Sequence, residues 1–134
     1  MKLPAEEECY ALFRQYNVPK HIFEHCIAIS NFGLGIALKL KEKGVSIDLV
    51  KIGGLLHDLM KVVVLDKLDY EGYKPTQAEI NTWKELRARY KYRHESYPAC
   101  DILKDKYPDF AKFLLREGEL SQNMITDRSW EEKV

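Results

Sequence analysis

The chain has little that would direct it to a membrane, to a polyanion or out of the cytoplasm. Its 21 basic and 21 acidic residues leave a formal net charge of +0, so no overall charge attracts it to nucleic acid or to an anionic membrane. We expect no apolar run long enough to span a bilayer. The first residues, MKLPAEEECY, lack the hydrophobic stretch of a signal peptide. These absences predict a cytoplasmic protein without a membrane partner.

Cysteine is also scarce. Cys9, Cys26 and Cys100 are an odd number at wide spacing, and they form no C-x-x-C pair. This pattern is typical of reduced thiols in a cytoplasmic protein. Cys26 falls on a mostly apolar helix face, so we interpret it as a small core residue.

Apolar residues at helical spacing, by contrast, are abundant. The 134 residues, 46% of them hydrophobic, are expected to form one domain over residues 1–134. Apolar positions three and four apart, with recognisable helix caps, predict an all-α helical bundle. The predicted helices are one closed by Asn17, one from Pro19 to about Leu40, one from about Ile47 to Lys61, one from Thr76 to about Tyr90, one that follows Arg93-His94-Glu95, and a shorter one opened by Pro108.

Two details of these helices bear on a site. His25 is predicted to lie on the buried stripe of the second helix. The pair Gly53-Gly54 lowers the helix propensity of the third, and this cost is explained if a neighbouring helix approaches closely there. We expect that neighbour to be the helix that carries His25.

His57 and Asp58, in the segment LLHDLMK, are the residues that most suggest chemistry. Imidazole nitrogen and carboxylate oxygen both bind divalent metals, and both are costly to bury unpaired. Because adjacent helical residues point about 100° apart, the two can share an ion only at the seam with a partner helix, from which His25 could supply a third ligand. Two alternatives stay open: His25 is a hydrogen-bonded core histidine, and His57-Asp58 is a helix-end pair that stabilises an imidazolium ion.

The ordered set of these motifs resembles the HD-domain superfamily of metal-dependent phosphohydrolases. FEHCIAISNFGLGIALKL is similar to that family's first metal helix, and VKIGGLLHDLMKV to its signature helix, in which H-D-x-x-K is frequent. YRHESYPACDILKDKYP resembles a later helix that begins with a histidine. The resemblance covers the chain from about Pro19 onward and implies an HD-domain-like helical bundle.

The resemblance also implies roles for individual residues. His25, His57 and Asp58 would hold a divalent metal ion such as Mn, Mg, Fe, Co or Ni, and Asp58 could also orient the attacking water. Lys61 would hold substrate phosphate or support Asp58. His94 would bind a second metal or contact phosphate, with a surface histidine at a helix start as the alternative.

The resemblance also bears on Arg93 and Asp127. Arg93 would help Lys61 to neutralise phosphate charge. The family's fourth ligand is an aspartate on a late helix, and Asp127 is placed before a helix cap rather than inside a helix. We therefore expect the fourth ligand to be absent from this chain, so that a three-ligand site binds metal more weakly or uses water or a neighbouring carboxylate.

Three functions are compatible with the sequence. The first is metal-dependent hydrolysis of a small, nucleotide-like phosphate ester, and the second is a non-catalytic helical module with an incomplete metal site. The third is nucleic-acid binding, which we disfavour because the net charge is zero and a basic run is more often a solvated helix face. That run comprises Lys84, Arg87, Arg89, Lys91 and Arg93, interleaved with Tyr90 and Tyr92.

Overall fold

Helices make up the regular structure of the described part of the chain. The computed structural model describes residues 1–65, 74–91 and 94–123, together with Glu131. Within these residues there is no strand, so the all-α prediction is confirmed. The helices are α1 (Glu6–Gln15), α2 (Lys20–Lys39), α3 (Ile47–Leu56), α4 (Gln77–Arg89), α5 (Ser96–Leu103) and α6 (Pro108–Asn123), with 3₁₀ turns at Lys41–Lys43 and Lys61–Val63.

Local capping chemistry sets several of the helix boundaries. The Ser46 hydroxyl accepts a hydrogen bond from the backbone N–H of Leu49 at the start of α3, as expected of an N-cap serine. Thr76 and Glu79 form a reciprocal capping box at the start of α4. After α2 and its 3₁₀ turn, Gly44 adopts a left-handed conformation with φ of 75°, which ends the segment where the sequence predicts.

Helix α3 ends at Leu56, so the prediction that it continues to Lys61 is wrong. Beyond Leu56 the backbone tightens: the N–H of Leu59 bonds to the Leu56 carbonyl and that of Lys61 to the Asp58 carbonyl. Residues three apart eclipse one another in such turns, which lets Leu59 and Val62 both face the core at 1% and 2% exposure. His57 and Asp58 therefore lie in the turn after the helix.

Helix α6 is also longer than expected. It runs for 16 residues, whereas the sequence predicts a short helix around Phe110 and Leu114. Gly118 does not terminate it, because this glycine is the point at which α6 packs closely on Ser96, the first residue of α5. Glycine is needed at this position because α6 approaches Ser96 closely, and not because the chain turns.

Helices α2 and α3 cross at Gly54. A Cβ atom at this position would lie 2.8 Å from Ser30 Cα, so only glycine permits the observed approach. The Ser30 hydroxyl donates a hydrogen bond to the Lys51 carbonyl across the same contact. The close approach predicted from Gly53-Gly54 is thus confirmed for Gly54, whereas Gly53 faces Phe113 of α6.

This crossing decides which face of α2 is buried. The buried residues of the helix are Ile22, Cys26, Ser30, Gly33 and Ala37. His25 points about 100° away from Cys26 and is exposed, so the prediction that it lies on the buried stripe is wrong. It lies at the edge of the helix contact, on a face that also exposes Ile29 and Phe32.

By length and composition, α2 is apolar enough to cross a membrane, contrary to the expectation that no such segment occurs. The same composition is found in core helices of soluble proteins. In this protein α2 packs against α3 and buries five of its residues. Composition alone is weak evidence for a membrane span.

Candidate metal centre

The structure brings three potential metal ligands together at the seam between α2 and the turn that follows α3. Asp58 Oδ2 lies 3.3 Å from His25 Nε2 and 3.2 Å from His57 Nε2. One ligand atom from each residue lies within 4.8 Å of the others. Two imidazoles and a carboxylate in this proximity form a donor set suited to several divalent ions.

A backbone carbonyl orients the ring of His57. Its Nδ1 lies 2.7 Å from the Gly54 carbonyl oxygen, and because a carbonyl can only accept, Nδ1 must carry the proton. When the ring is protonated, Nε2–H donates to Asp58; when it is neutral, Nε2 is left with a lone pair, the arrangement that histidine ligands of a metal usually have. The same contact joins the ring to the last turn of α3.

In this cluster, His57 favours the ionised form of Asp58, and Asp58 favours the protonated form of His57. Burial lowers the pKa of His57, but the hydrogen bond and negative charge of Asp58 outweigh burial, and the net pKa is raised. Burial likewise raises the pKa of Asp58, yet the hydrogen bond and charge of His57 prevail, and the net pKa is lowered. Asp58 is therefore an ionised carboxylate at neutral pH, the form that binds a cation.

Cys26 lies behind the cluster. It is fully buried at 0% exposure, so its prediction as a core residue is confirmed. Burial, together with the negative charge of Asp58, raises the pKa of the thiol to about 12, and the backbone of Asp58 makes a hydrogen bond with it. A thiol in this state is unreactive, and its contribution is to support the backbone at Asp58.

The cluster is open on one side. The side chain of His25 is 51% exposed, that of His57 33% and that of Asp58 14%. Asp58 is thus the deepest of the three, and the histidines flank it toward solvent. The two histidines are therefore accessible to water.

A second polar cluster surrounds Glu95, which is only 6% exposed. Lys61 Nζ lies 3.2 Å from Glu95 Oε1, and His94 Nε2 lies 3.3 Å from Glu95 Oε2. Sequence reasoning named Lys61 and His94 but missed Glu95, although it is adjacent to His94. A charged residue immediately before a helix that buries Ser96 and Ala99 was the available signal.

A cleft extends from His57 along α3 and α6. It is lined by Ile29, Gly53, Phe113, Leu114, Glu117 and Glu131. Glu117, a second residue that sequence reasoning missed, lies three and four positions after Leu114 and Phe113 on α6. That spacing was the signal that could have placed it on the inward face of the helix.

Several predicted residues lie outside the described part of the chain. Arg93 and Asp127 are among them. Glu131, by contrast, is described, and its carboxylate accepts a hydrogen bond from the Ser46 backbone N–H at 3.0 Å.

Comparison with known proteins agrees with this geometry. The sequence profile of the HD domain matches residues 22–106, more than half of the chain. The chain belongs to the HD-domain family. The matched segment of this HD-domain chain contains His25, His57, Asp58, Lys61 and His94.

Among curated proteins, the chain is similar to the uncharacterized protein MJ0778 of Methanocaldococcus jannaschii. The two are 45% identical over 42 residues, which cover 30% of this chain and 25% of that protein. The match thus spans about a quarter of the relative's length. No solved structure matched the chain at a significant level.

Proposed function

We propose that this HD-domain chain is a metal-dependent phosphohydrolase that acts on a small, nucleotide-like phosphate ester in the cytoplasm. The observation that carries the proposal is the convergence of His25, His57 and Asp58, with ligand atoms within 4.8 Å of one another. Family membership supports the reaction class.

The donor set fits a divalent ion. The Gly54 carbonyl orients His57 so that its Nε2 faces Asp58. The planes of the His25 and His57 rings are tilted at 53° to each other, and their centroids are 5.8 Å apart. The ionised carboxylate of Asp58 supplies the negative charge. Nitrogen and oxygen donors of this kind suit Mn, Fe, Co and Ni as well as Mg.

A divalent ion bound here would lower the pKa of a water molecule and neutralise charge on a phosphate oxygen. The other tasks of the reaction would fall to side chains of the protein. Asp58, the most buried of the three, accepts a hydrogen bond from the attacking water and orients it. Lys61, whose backbone N–H bonds to the Asp58 carbonyl at 3.0 Å, is close enough in sequence to present its ammonium group to the phosphate.

Glu117 is our candidate for the neighbouring carboxylate that compensates for a missing fourth ligand. It lines the same cleft as His57, and its negative charge acts on the His57 ring. We place it beyond the three donors, where it would accept a hydrogen bond from water.

The second candidate is a non-catalytic HD-fold module. It is favoured by one observation: in the part of the chain that the structure describes, the ligand atoms that lie within 4.8 Å of one another come from three residues and no fourth. A module of this kind would keep the fold and bind metal weakly or not at all.

Hydrolysis of a nucleotide panel, assayed with Mn²⁺, Co²⁺, Ni²⁺ or Mg²⁺, separates these functions. We expect metal-dependent phosphate release by the wild-type protein and none by a His57→Ala, Asp58→Ala double variant with an unchanged circular dichroism spectrum. If both proteins release phosphate at the same rate, the hydrolase proposal is wrong.

A further inference from the structure

Helix α2 exposes large apolar side chains on the side that turns away from its buried residues. Five of its 20 residues are buried. In the described part of the chain six large apolar residues are exposed, and three of them belong to α2: Phe32 at 70%, Leu38 at 54% and Ile29 at 39%. Exposed apolar residues that gather on one element mark an interaction surface, whereas scattered ones do not.

The exposed side of α2 follows a regular repeat. Residues at alternating spacings of four and three form one line along the helix, and all of them are exposed: Glu24, Ala28, Asn31, Gly35 and Leu38. Phe32 and Lys39 lie beside this line and are exposed too. Two helices that pack along their length at a shallow angle meet through this repeat. These seven residues are called the outer face of α2 below.

Gly35 is an exposed glycine in the interior of the outer face. Glycine lowers helix propensity, and a Cβ atom here would meet no atom of another element within 4 Å. Alanine would therefore suit a single protomer better, and the described part of the chain gives no reason for glycine, in contrast to Gly54. Ala28, seven residues earlier on the same line, is small as well. Two small residues on an exposed line permit the close approach of a second helix.

The two ends of the outer face carry opposite charges. Glu24 lies near the start of α2, and Lys39 is its last residue. Glu24 lies 3.7 Å from Lys20, but both side chains are more than 60% exposed, and an exposed pair of this kind contributes little. Two copies of α2 in antiparallel orientation would bring the acidic end of each helix to the basic end of the other.

One antiparallel register satisfies the small residues and the charges together. A two-fold axis between positions 31 and 32 places Ala28 of one copy opposite Gly35 of the other. The same axis places Glu24 of one copy opposite Lys39 of the other. Symmetry repeats each match, so the contact contains two small-residue pairs and two ion pairs. The outer face is therefore complementary to itself.

Phe32 lies next to this axis, so the Phe32 side chains of the two copies would meet there and lose their exposure to water. A shift of one helical turn in either direction removes the match between Ala28 and Gly35, and in one direction it brings Lys20 opposite Lys39. The matched segment, from position 24 to 39, is about 22 Å long at 1.5 Å per residue. A contact through one pair of helices belongs to the small interfaces, which form dissociable complexes.

We propose that the outer face of α2 binds a second copy of this chain, with the two α2 helices antiparallel about a two-fold axis. The proposal does not depend on the hydrolase activity. A membrane surface is the other occupant that an exposed apolar helix face suits, but helices that lie on anionic membranes carry a basic polar face. The outer face has one acidic and one basic end, which favours a second copy.

Sedimentation velocity of the full chain, over a series of micromolar concentrations, tests this contact. We expect the wild type to show a monomer–dimer equilibrium. Phe32→Ser removes two side chains at the centre of the interface, so the dissociation constant should rise about tenfold or more. Tyr97→Ser is the matched control, since Tyr97 is an exposed aromatic residue on α5. It should leave the dissociation constant unchanged.

Exchange of the two charges tests the antiparallel register. Glu24→Lys and Lys39→Glu each place like charges in both ion pairs, so each variant alone should associate more weakly than the wild type. An equimolar mixture of the two variants restores both pairs, and we expect it to form a heterodimer that is tighter than either homodimer. Glu85→Lys makes the same charge change on an exposed position of α4 and should associate as the wild type does.

Three results would overturn the proposal: a wild type that stays monomeric over the whole series, unchanged association of Phe32→Ser, or a mixture that associates no better than its two components. A monomeric wild type that binds vesicles of anionic phospholipid would assign the outer face to a membrane instead. Leu38→Ser replaces Phe32→Ser if that variant loses its helical circular dichroism, and it should weaken the dimer as well.

Discussion

At the residue scale, the environment of each donor decides what it can bind. The Gly54 carbonyl fixes the proton of His57 on Nδ1, and the Ser96 N–H fixes that of His94 on Nε2. In their neutral forms, His57 thus has its lone pair on Nε2, facing Asp58, whereas His94 has its proton on Nε2, facing Glu95.

Glu117 permits a prediction at this scale. Replacing it with glutamine removes a negative charge from the cleft beside His57, and we expect Mn²⁺ affinity to fall about tenfold, as for other outer partners of metal sites. The measurement is calorimetric titration with Mn²⁺. Glu131→Gln is the matched control, because Glu131 lines the same cleft but accepts from the Ser46 N–H. Equal losses in the two variants would contradict a specific role for Glu117.

Much of the candidate site could be predicted from residue types and order. His25, His57 and Asp58 were named from the sequence, and they do converge. Glu95 and Glu117 could not be assigned in this way, because their relevance depends on how α5 and α6 pack against the turn after α3. The exposure of His25 was also missed, since apolar spacing on α2 does not reveal which of two adjacent faces meets α3.

At the element scale, the crossing of α2 and α3 brings His25 to Asp58. Gly54 permits that crossing, and the sequence contained the signal in Gly53-Gly54. The end of α3 at Leu56 was not predictable from the same pattern, because apolar residues at 59, 60 and 62 satisfy both an α-helix and a pair of tight turns. Core packing decided between them.

Gly54→Ala should therefore damage both the fold and the site. The added methyl group meets the Ser30 backbone at 2.8 Å, and we expect a loss of about 1–3 kcal/mol in the free energy of unfolding, typical of overpacking. Urea denaturation measures this loss, and Mn²⁺ affinity should fall in the same variant because His25 moves away from Asp58.

Gly35→Ala provides the control for that change. Gly35 lies on α2, where an added Cβ would meet no atom of another element within 4 Å, so alanine should stabilise the helix by about 0.5–1 kcal/mol. If Gly54→Ala were as stable as Gly35→Ala, the close approach of α2 and α3 would be contradicted.

At the scale of the whole molecule, α1 is connected to the start of α6. Glu8 on α1 accepts hydrogen bonds from the Tyr107 hydroxyl and from Lys106 Nζ, the latter at 3.0 Å. The Tyr107 bond, followed by that of Lys106, lowers the pKa of Glu8 from 4.5 to about 2. This contact joins residues about a hundred positions apart and closes the bundle beside the site-bearing elements.

The depressed pKa of Glu8 predicts how stability depends on pH. Because the native state favours the ionised carboxylate, the contribution of Glu8 is fully present above pH 4.5 and is lost as the pH falls toward about 2. The difference in unfolding free energy between the wild type and Glu8→Gln should therefore be constant from pH 7 to pH 5 and shrink below pH 4.5. A difference that stays constant down to pH 2 would show that the native contact does not form.

The most direct test of the metal centre is titration of the purified protein with Mn²⁺, beside the His57→Ala, Asp58→Ala double variant. We predict saturable binding of one ion by the wild-type chain at His25, His57 and Asp58, and loss of that binding in the variant while its helical circular dichroism is retained. Equal binding by both proteins, or no binding by the wild type, would contradict the assignment of these three residues as a metal site.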